Sequence, residues 1–181
     1  MRPKLALDLL ALPSAAAALG LSACSTGDQT LGIHADPPLC GTSVTIRENV
    51  SGGLSHEGFN LVFANPGSLC SVGGYPMVKG LAADGAVVFA AADTPAGYLG
   101  GLQPGGSGTS VYLSQGEVAS ALVEGIDGPV PSLGPCPDYK YLEVSLNGGS
   151  PPVRLTAPFP LCYLQVHPLV AGPDGGANTP S

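Results

Sequence analysis

Tryptophan is absent from the 181 residues, and lysine and arginine together number only six. Charged residues of both signs make up 10% of the chain. So small a fraction excludes a coiled coil and any long solvated helix, which need charged faces. The six cations stand against 13 aspartates and glutamates, for a formal charge of −7. That balance argues against nucleic acid as a partner, because phosphate binding draws on clustered cations. Catalytic signatures are missing too. No two cysteines form a C-x₂₋₄-C pair, and none is usefully spaced from His34, His56 or His167, so neither a metal nor another cofactor is expected. His56-Glu57 opens like a zinc-protease helix, but Asn60 stands where the second histidine belongs and Gly58 weakens a helix. There is no G-x-S-x-G elbow, and the glycines at 100–108 lack the lysine and following helix of a phosphate cradle.

What the chain does have is glycine and proline. The 27 glycines and 19 prolines are a quarter of it. Yet 44% of residues are hydrophobic and mean hydropathy is +0.30, too apolar for a disordered chain. Apolar runs punctuated this often by Gly and Pro imply many short strands and turns.

The N-terminus carries Arg2 and Lys4, then a mostly apolar run over 5–23 broken by Asp8 and Pro13. Cations before a short apolar core are the layout of a secretory signal. The run ends Leu21-Ser22-Ala23-Cys24, small residues followed by a cysteine, which resembles the lipobox of bacterial lipoproteins. In such signals the cysteine is acylated and becomes the new N-terminus. The expectation is a signal peptide over 1–23 and an exported protein held on the outer face of the cell membrane through lipid on Cys24. The mature chain would keep four cations (Arg47, Lys79, Lys140, Arg154) against twelve acids, a formal charge of −8. Anionic headgroups repel such a surface, so membrane attachment would rest on the lipid alone.

Beyond Cys24 remain Cys40, Cys70, Cys136 and Cys162. In an oxidising compartment an even number reads as two disulfides, with three connectivities open. The chain-order choice, Cys40–Cys70 and Cys136–Cys162, would close loops spanning 30 and 26 residues. Residues 24–39 read as a flexible tether. Residues 171–181, with little to bury, read as a disordered tail. Between them, 40–170 form one domain.

That domain reads as strands. Residues 43–47 alternate with Val44 and Ile46 inward, and 59–63 with Phe59, Leu61 and Phe63 inward. A turn follows at Asn65-Pro66-Gly67-Ser68. The continuous apolar run 86–91 reads as a buried strand. Residues 109–114, 117–124, 139–146, Val153 with Leu155, and 162–167 complete the set, the 139–146 strand turning Leu142, Val144 and Leu146 inward. About eight short antiparallel strands predict an all-β, immunoglobulin-like sandwich, although the tryptophan of a true immunoglobulin core is lacking.

The run from Leu61 to Val78 contains Asn65-Pro66-Gly67-Ser68-Leu69-Cys70-Ser71-Val72-Gly73-Gly74-Tyr75-Pro76-Met77-Val78. It resembles a domain of unknown function found in actinobacterial secreted proteins and lipoproteins, with the pattern N-x-G-x-x-C-x-x-x-G-Y-P-x-V. Cys40 ahead of the first strand, Cys136 before Leu142-Glu143-Val144, and Cys162 before Val166-His167-Pro168 match the family's other cysteines, so the likeness spans 40–170. It implies a disulfide-stapled β-sandwich with no assigned activity, and it supports the pairing Cys40–Cys70 and Cys136–Cys162.

Two function classes follow from the sequence. The first is a non-catalytic binding or structural module that contacts an envelope protein or small ligand, with Tyr75 beside the rigid Pro76 as a contact surface. The alternative is an envelope hydrolase. For that, His56 and His167 are the conventional bases, and both read as solvated: His56 in a hairpin loop, His167 at a strand end before Pro168. The sequence therefore predicts no catalytic residues.

Overall fold

The computed structural model describes residues 36–51, 55–101, 109–147 and 151–176, and among them there is no helix. The signal peptide, Cys24 and most of the tether lie outside the described residues, as do 102–108 of the glycine-rich stretch and 177–181 of the tail.

Among the described residues fourteen strands follow one another. The first five are β1 (Ser43–Ser51), β2 (His56–Ala64), β3 (Cys70–Val72), β4 (Met77–Leu81) and β5 (Val87–Ala90). Four short ones come next: β6 (Ala92–Asp93), β7 (Ala96–Gly97), β8 (Gly100–Gly101) and β9 (Val111–Leu113). The chain ends with β10 (Val118–Ile126), β11 (Tyr141–Ser145), β12 (Val153–Thr156), β13 (Cys162–Val166) and β14 (Val170–Ala171).

One sheet runs β1-β2-β10-β13-β6, with β14 also on β10; a second runs β12-β11-β4-β5. The inner face of the first sheet is set by register. Phe63 lies opposite Ala119, Leu61 opposite Ala121 and Phe59 opposite Val123, and all six share one core cluster with Val78, Leu142 and Val144 of the second sheet. Small residues on β10 leave room for the aromatic and leucine side chains of β2, so the two strands fill one layer together. The order β1-β2-β10 against β12-β11-β4-β5 is that of an immunoglobulin-type sandwich, in which A, B and E face G, F, C and C′. The place beside strand E is taken by the late strand β13. The short β6, which occupies the D position in sequence, pairs in parallel on β13's far side.

Both disulfides form, Cys40–Cys70 and Cys136–Cys162, each with Cα atoms 5.0 Å apart. The first is reinforced by backbone: Cys40 N donates to Ser71 O and Ser71 N to Pro38 O. The last residues of the expected tether are therefore laid along β3.

Two other expectations change. The run 86–91 is not a buried strand, because β5 is the end strand of its sheet and leaves Val87 57% and Val88 41% exposed. Within β5 Phe89 packs against the core, its ring 4.9 Å from that of Tyr139 and seated where a side chain at Gly80 would be. The tail does not begin at 171. The chain continues as β14, Gly172 N donates to Val118 O, and Gly175 N donates to the Ser120 hydroxyl at 2.7 Å.

Candidate functional site

On β10, residues 119, 121 and 123 face the core, which turns Ser120, Leu122 and Glu124 to the outer face of the sheet. An outer face is ordinarily solvated. Here Ser120 and Glu124 are nevertheless fully buried and Asn60, opposite Leu122, is 2% exposed. Two segments cover them: the hairpin of β7 and β8, and the stretch from His167 to Gly175.

Proline explains the second segment. Residues 162–171 run along a single edge of β10, and Pro168, which has no N–H, divides that run into β13 and β14. His167 stands at the break, with its N–H donated to Leu122 O. It is thus in the middle of the sheet edge, 1% exposed, and not the solvated strand end that the sequence predicts. Its Nε2 lies 2.7 Å from Glu124 Oε1. The other carboxylate oxygen accepts from Leu99 N at 2.7 Å, which pins the hairpin over the pair. His167 Nδ1 has no hydrogen-bond partner among the described residues.

His56 is also not solvated. It opens β2, is half-buried, and stacks on Tyr98 with centroids 5.0 Å apart. Tyr98 has its pKa raised above 10.0, first by burial and then by the charge of Glu124 and the neighbouring Tyr163.

Tyr163 leads out of this buried cluster into a groove. Between Glu124 and Ile126 the register against β13 slips by one residue, a bulge that falls at Tyr163. Its φ is +52°, a left-handed conformation that costs a non-glycine residue about 1–3 kcal/mol and persists only where the surroundings hold it. The surroundings do. The hydroxyl accepts from Val130 N at 3.2 Å and donates to the Gly134 carbonyl. Gly125 admits the bulge, since a Cβ there would stand 2.7 Å from the Cys162 carbonyl oxygen.

The loop tied down by Tyr163 walls a groove of about 520 Å³ with Leu133, Pro135 and Pro137. The opposite wall is β5, through Val88, Phe89 and Ala90, and the remaining lining is Tyr98, Tyr163, Leu164, Gln165 and Ala92. None of these side chains is charged. The Oε1 of Gln165 is buried without a hydrogen-bond partner among the described residues. The Cys136–Cys162 disulfide joins the proline-rich wall to the strand that carries Tyr163.

Tyr75 is half-buried and is not part of this lining. Among the described residues no group of three or more His, Cys, Asp or Glu side chains converges as a metal site, and no serine or threonine hydroxyl hydrogen-bonds His167. Nothing in the sequence pattern pointed to the groove, although Gly125 and the paired prolines at 135 and 137 are its local cues.

No family model matches this sequence, and neither curated proteins nor solved structures give a match.

Proposed function

We propose that this chain is an exported cell-envelope lipoprotein, anchored through Cys24, that acts as a non-catalytic binding module with its ligand in the Tyr98–Tyr163 groove. The groove carries the reading. It is concave and apolar and bears aromatic rings, which are usual attributes of a small binding site. Its framework is also committed, since a strained tyrosine, two hydrogen bonds to one loop and a disulfide all fix the same wall. The sequence pattern around Asn65 to Val78 supports membership of the actinobacterial domain of unknown function, and the disulfides fit an oxidising, exported setting.

The anchor is tested by replacing Cys24 with Ala and following the protein by fractionation and fatty-acid labelling. The variant is expected to lose the label and to leave the membrane fraction or stay unprocessed. Equal labelling of both proteins overturns the anchor. The groove is tested with Nile red, a neutral apolar dye: its fluorescence is expected to rise with the native protein and much less with Tyr98→Ala.

A hydrolase is the second reading, favoured by one observation, the Glu124–His167 pair, which is two thirds of a nucleophile-activating triad. Against it, the imidazole is 1% exposed and has no hydroxyl partner among the described residues. Hydrolysis of p-nitrophenyl esters by the native protein, lost in a folded His167→Gln, would establish it.

A further inference from the structure

The second sheet has two end strands, and they are treated differently. On β12, Pro151 and Pro152 precede the strand, and Arg154 lies across the Tyr141 ring at 3.7 Å. Proline and an exposed cation are common guards against a further strand. The β5 end has neither. Its four residues, Val87-Val88-Phe89-Ala90, are all apolar, with Val87 and Val88 prominently exposed.

Among the described residues no strand pairs with the outer side of β5. Ala91 N donates to Val78 O across the β4 pairing, and Ala90 lies opposite Lys79. Alternation along a strand therefore turns the N–H and C=O of Ala90 away from β4, toward the free edge. The groove lies against the same strand, so a chain added there would have pockets for alternate side chains. Together these are the two components of recognition by strand addition, main-chain pairing for affinity and side-chain pockets for specificity.

Charge indicates which strand fits. The groove is uncharged, but exposed carboxylates stand beyond both ends of β5, Asp84 in the turn before it and Asp93 in β6 after it. A second copy pairing antiparallel through its own β5 would bring Asp84 toward Asp93, acid against acid, in an already acidic protein. An apolar strand with a cation at each end meets opposite charge at both ends.

Resting on the binding-module reading above, we infer that the ligand is an extended segment of another polypeptide, apolar and aromatic at its centre and flanked by Lys or Arg. It adds to the free edge of β5 and places side chains in the Tyr98–Tyr163 groove.

The test uses the full chain with Cys24→Ala, which lacks the acylation site, and the capped, fluorescein-labelled octapeptide KTVYVTVK. The expected result is saturable binding by fluorescence anisotropy, slowed hydrogen exchange of the Ala90 amide, and at least tenfold weaker binding by Ala90→Pro, which removes the outward N–H. A peptide with Glu in place of both Lys is expected to bind at least fivefold more weakly. Ala90→Lys serves as a second variant and retains the amide while obstructing the groove; it too is expected to weaken binding. Unchanged binding by both folded variants overturns strand addition. So does a concentration-dependent dimer, seen by sedimentation, that Ala90→Pro abolishes, since the edge would then serve self-association. Nile red separates the two levels: dye binding without peptide binding overturns the peptide but leaves the binding module, whereas failure of both overturns each.

Discussion

Gly97 lies directly over Glu124: a Cβ at Gly97 would occupy the position of Glu124 Oε1. A carboxylate at the end of a flexible side chain ordinarily moves aside. This one is held, by Leu99 N on one oxygen and His167 Nε2 on the other. Gly97→Ala is therefore expected to lift the β7–β8 hairpin from the sheet and cost about 1–3 kcal/mol, the usual range for overpacking. Urea denaturation gives the stability, and faster hydrogen exchange at the Leu99 amide reports the lifted hairpin. Unchanged exchange at Leu99 counts against the clamp.

The pair beneath that hairpin has its own signature. Removing one partner of a buried hydrogen bond leaves the other unsatisfied, about 1–3 kcal/mol, whereas replacing both by apolar groups of the same shape can be close to neutral. Glu124→Leu is expected near the upper end, because Leu99 N also loses its acceptor. His167→Leu should lie nearer the lower end. The double variant is expected to be less destabilised than the sum of the two, and a double-mutant cycle in urea measures the difference. Strict additivity would mean that the 2.7 Å contact carries no coupling.

Legibility in the sequence followed the periodicities. Alternation over 59–63 and 139–146 located strands whose inward residues are in the core, that over 43–47 a strand whose Val44 and Ile46 are partly buried against it, and the family-like pattern agreed with the disulfide pairing that forms. The failures have physical reasons. The apolar run at 86–91 could not reveal that its strand ends a sheet, because burial depends on neighbours that the local sequence does not specify. Pro168 ends the strand pattern and so implies a solvated His167; the chain instead resumes as β14 on the same edge of β10. The strand pattern at 117–124 could not show that Ser120 and Glu124 are buried, because their cover comes from residues about 25 before and 50 after them. The strand β4 was missed since Pro76, Lys79 and Gly80 interrupt it, although Gly80 is needed to seat Phe89.

Alkaline pH should loosen the sandwich through Tyr139. This ring is 8% exposed, and its pKa is raised above 10.0 by burial, an effect only partly opposed by the hydrogen bond from Leu161 N to its hydroxyl. A raised value means that the folded protein keeps a proton which the unfolded chain gives up near pH 10. The contribution is thus full below pH 10 and declines as pH rises above it toward the folded value. Tyr98, shifted in the same direction by burial, Glu124 and Tyr163, adds to the decline. Between pH 9 and pH 11 the urea midpoint of the native protein should fall more steeply than that of Tyr139→Phe. The variant itself should be about 1–3 kcal/mol less stable at pH 7, because Leu161 N loses its buried acceptor. Parallel pH profiles would exclude Tyr139 as the source.

Asn65 gives the sharpest test of the N-x-G-x-x-C pattern. Its Oδ1 accepts from Gly67 N at 2.9 Å, which closes the turn after β2, while its Nδ2 donates to Ser68 O at 2.8 Å and to Leu113 O at 2.9 Å. A 2% exposed amide thus joins the turn to β9, whose neighbour β3 carries Cys70. Only a side chain with both an acceptor and donors can make all three bonds. Asn65→Asp preserves the turn bond but sets a carboxylate oxygen against two carbonyl oxygens; Asn65→Ala loses all three bonds but adds no charge. If the donor bonds to Ser68 and Leu113 matter more than the turn bond, Asp should be at least as damaging as Ala, each costing about 1–3 kcal/mol or more at pH 7. Urea denaturation orders the two variants. A clearly milder effect of Asp would assign the residue's role to the local turn and not to its link with β9.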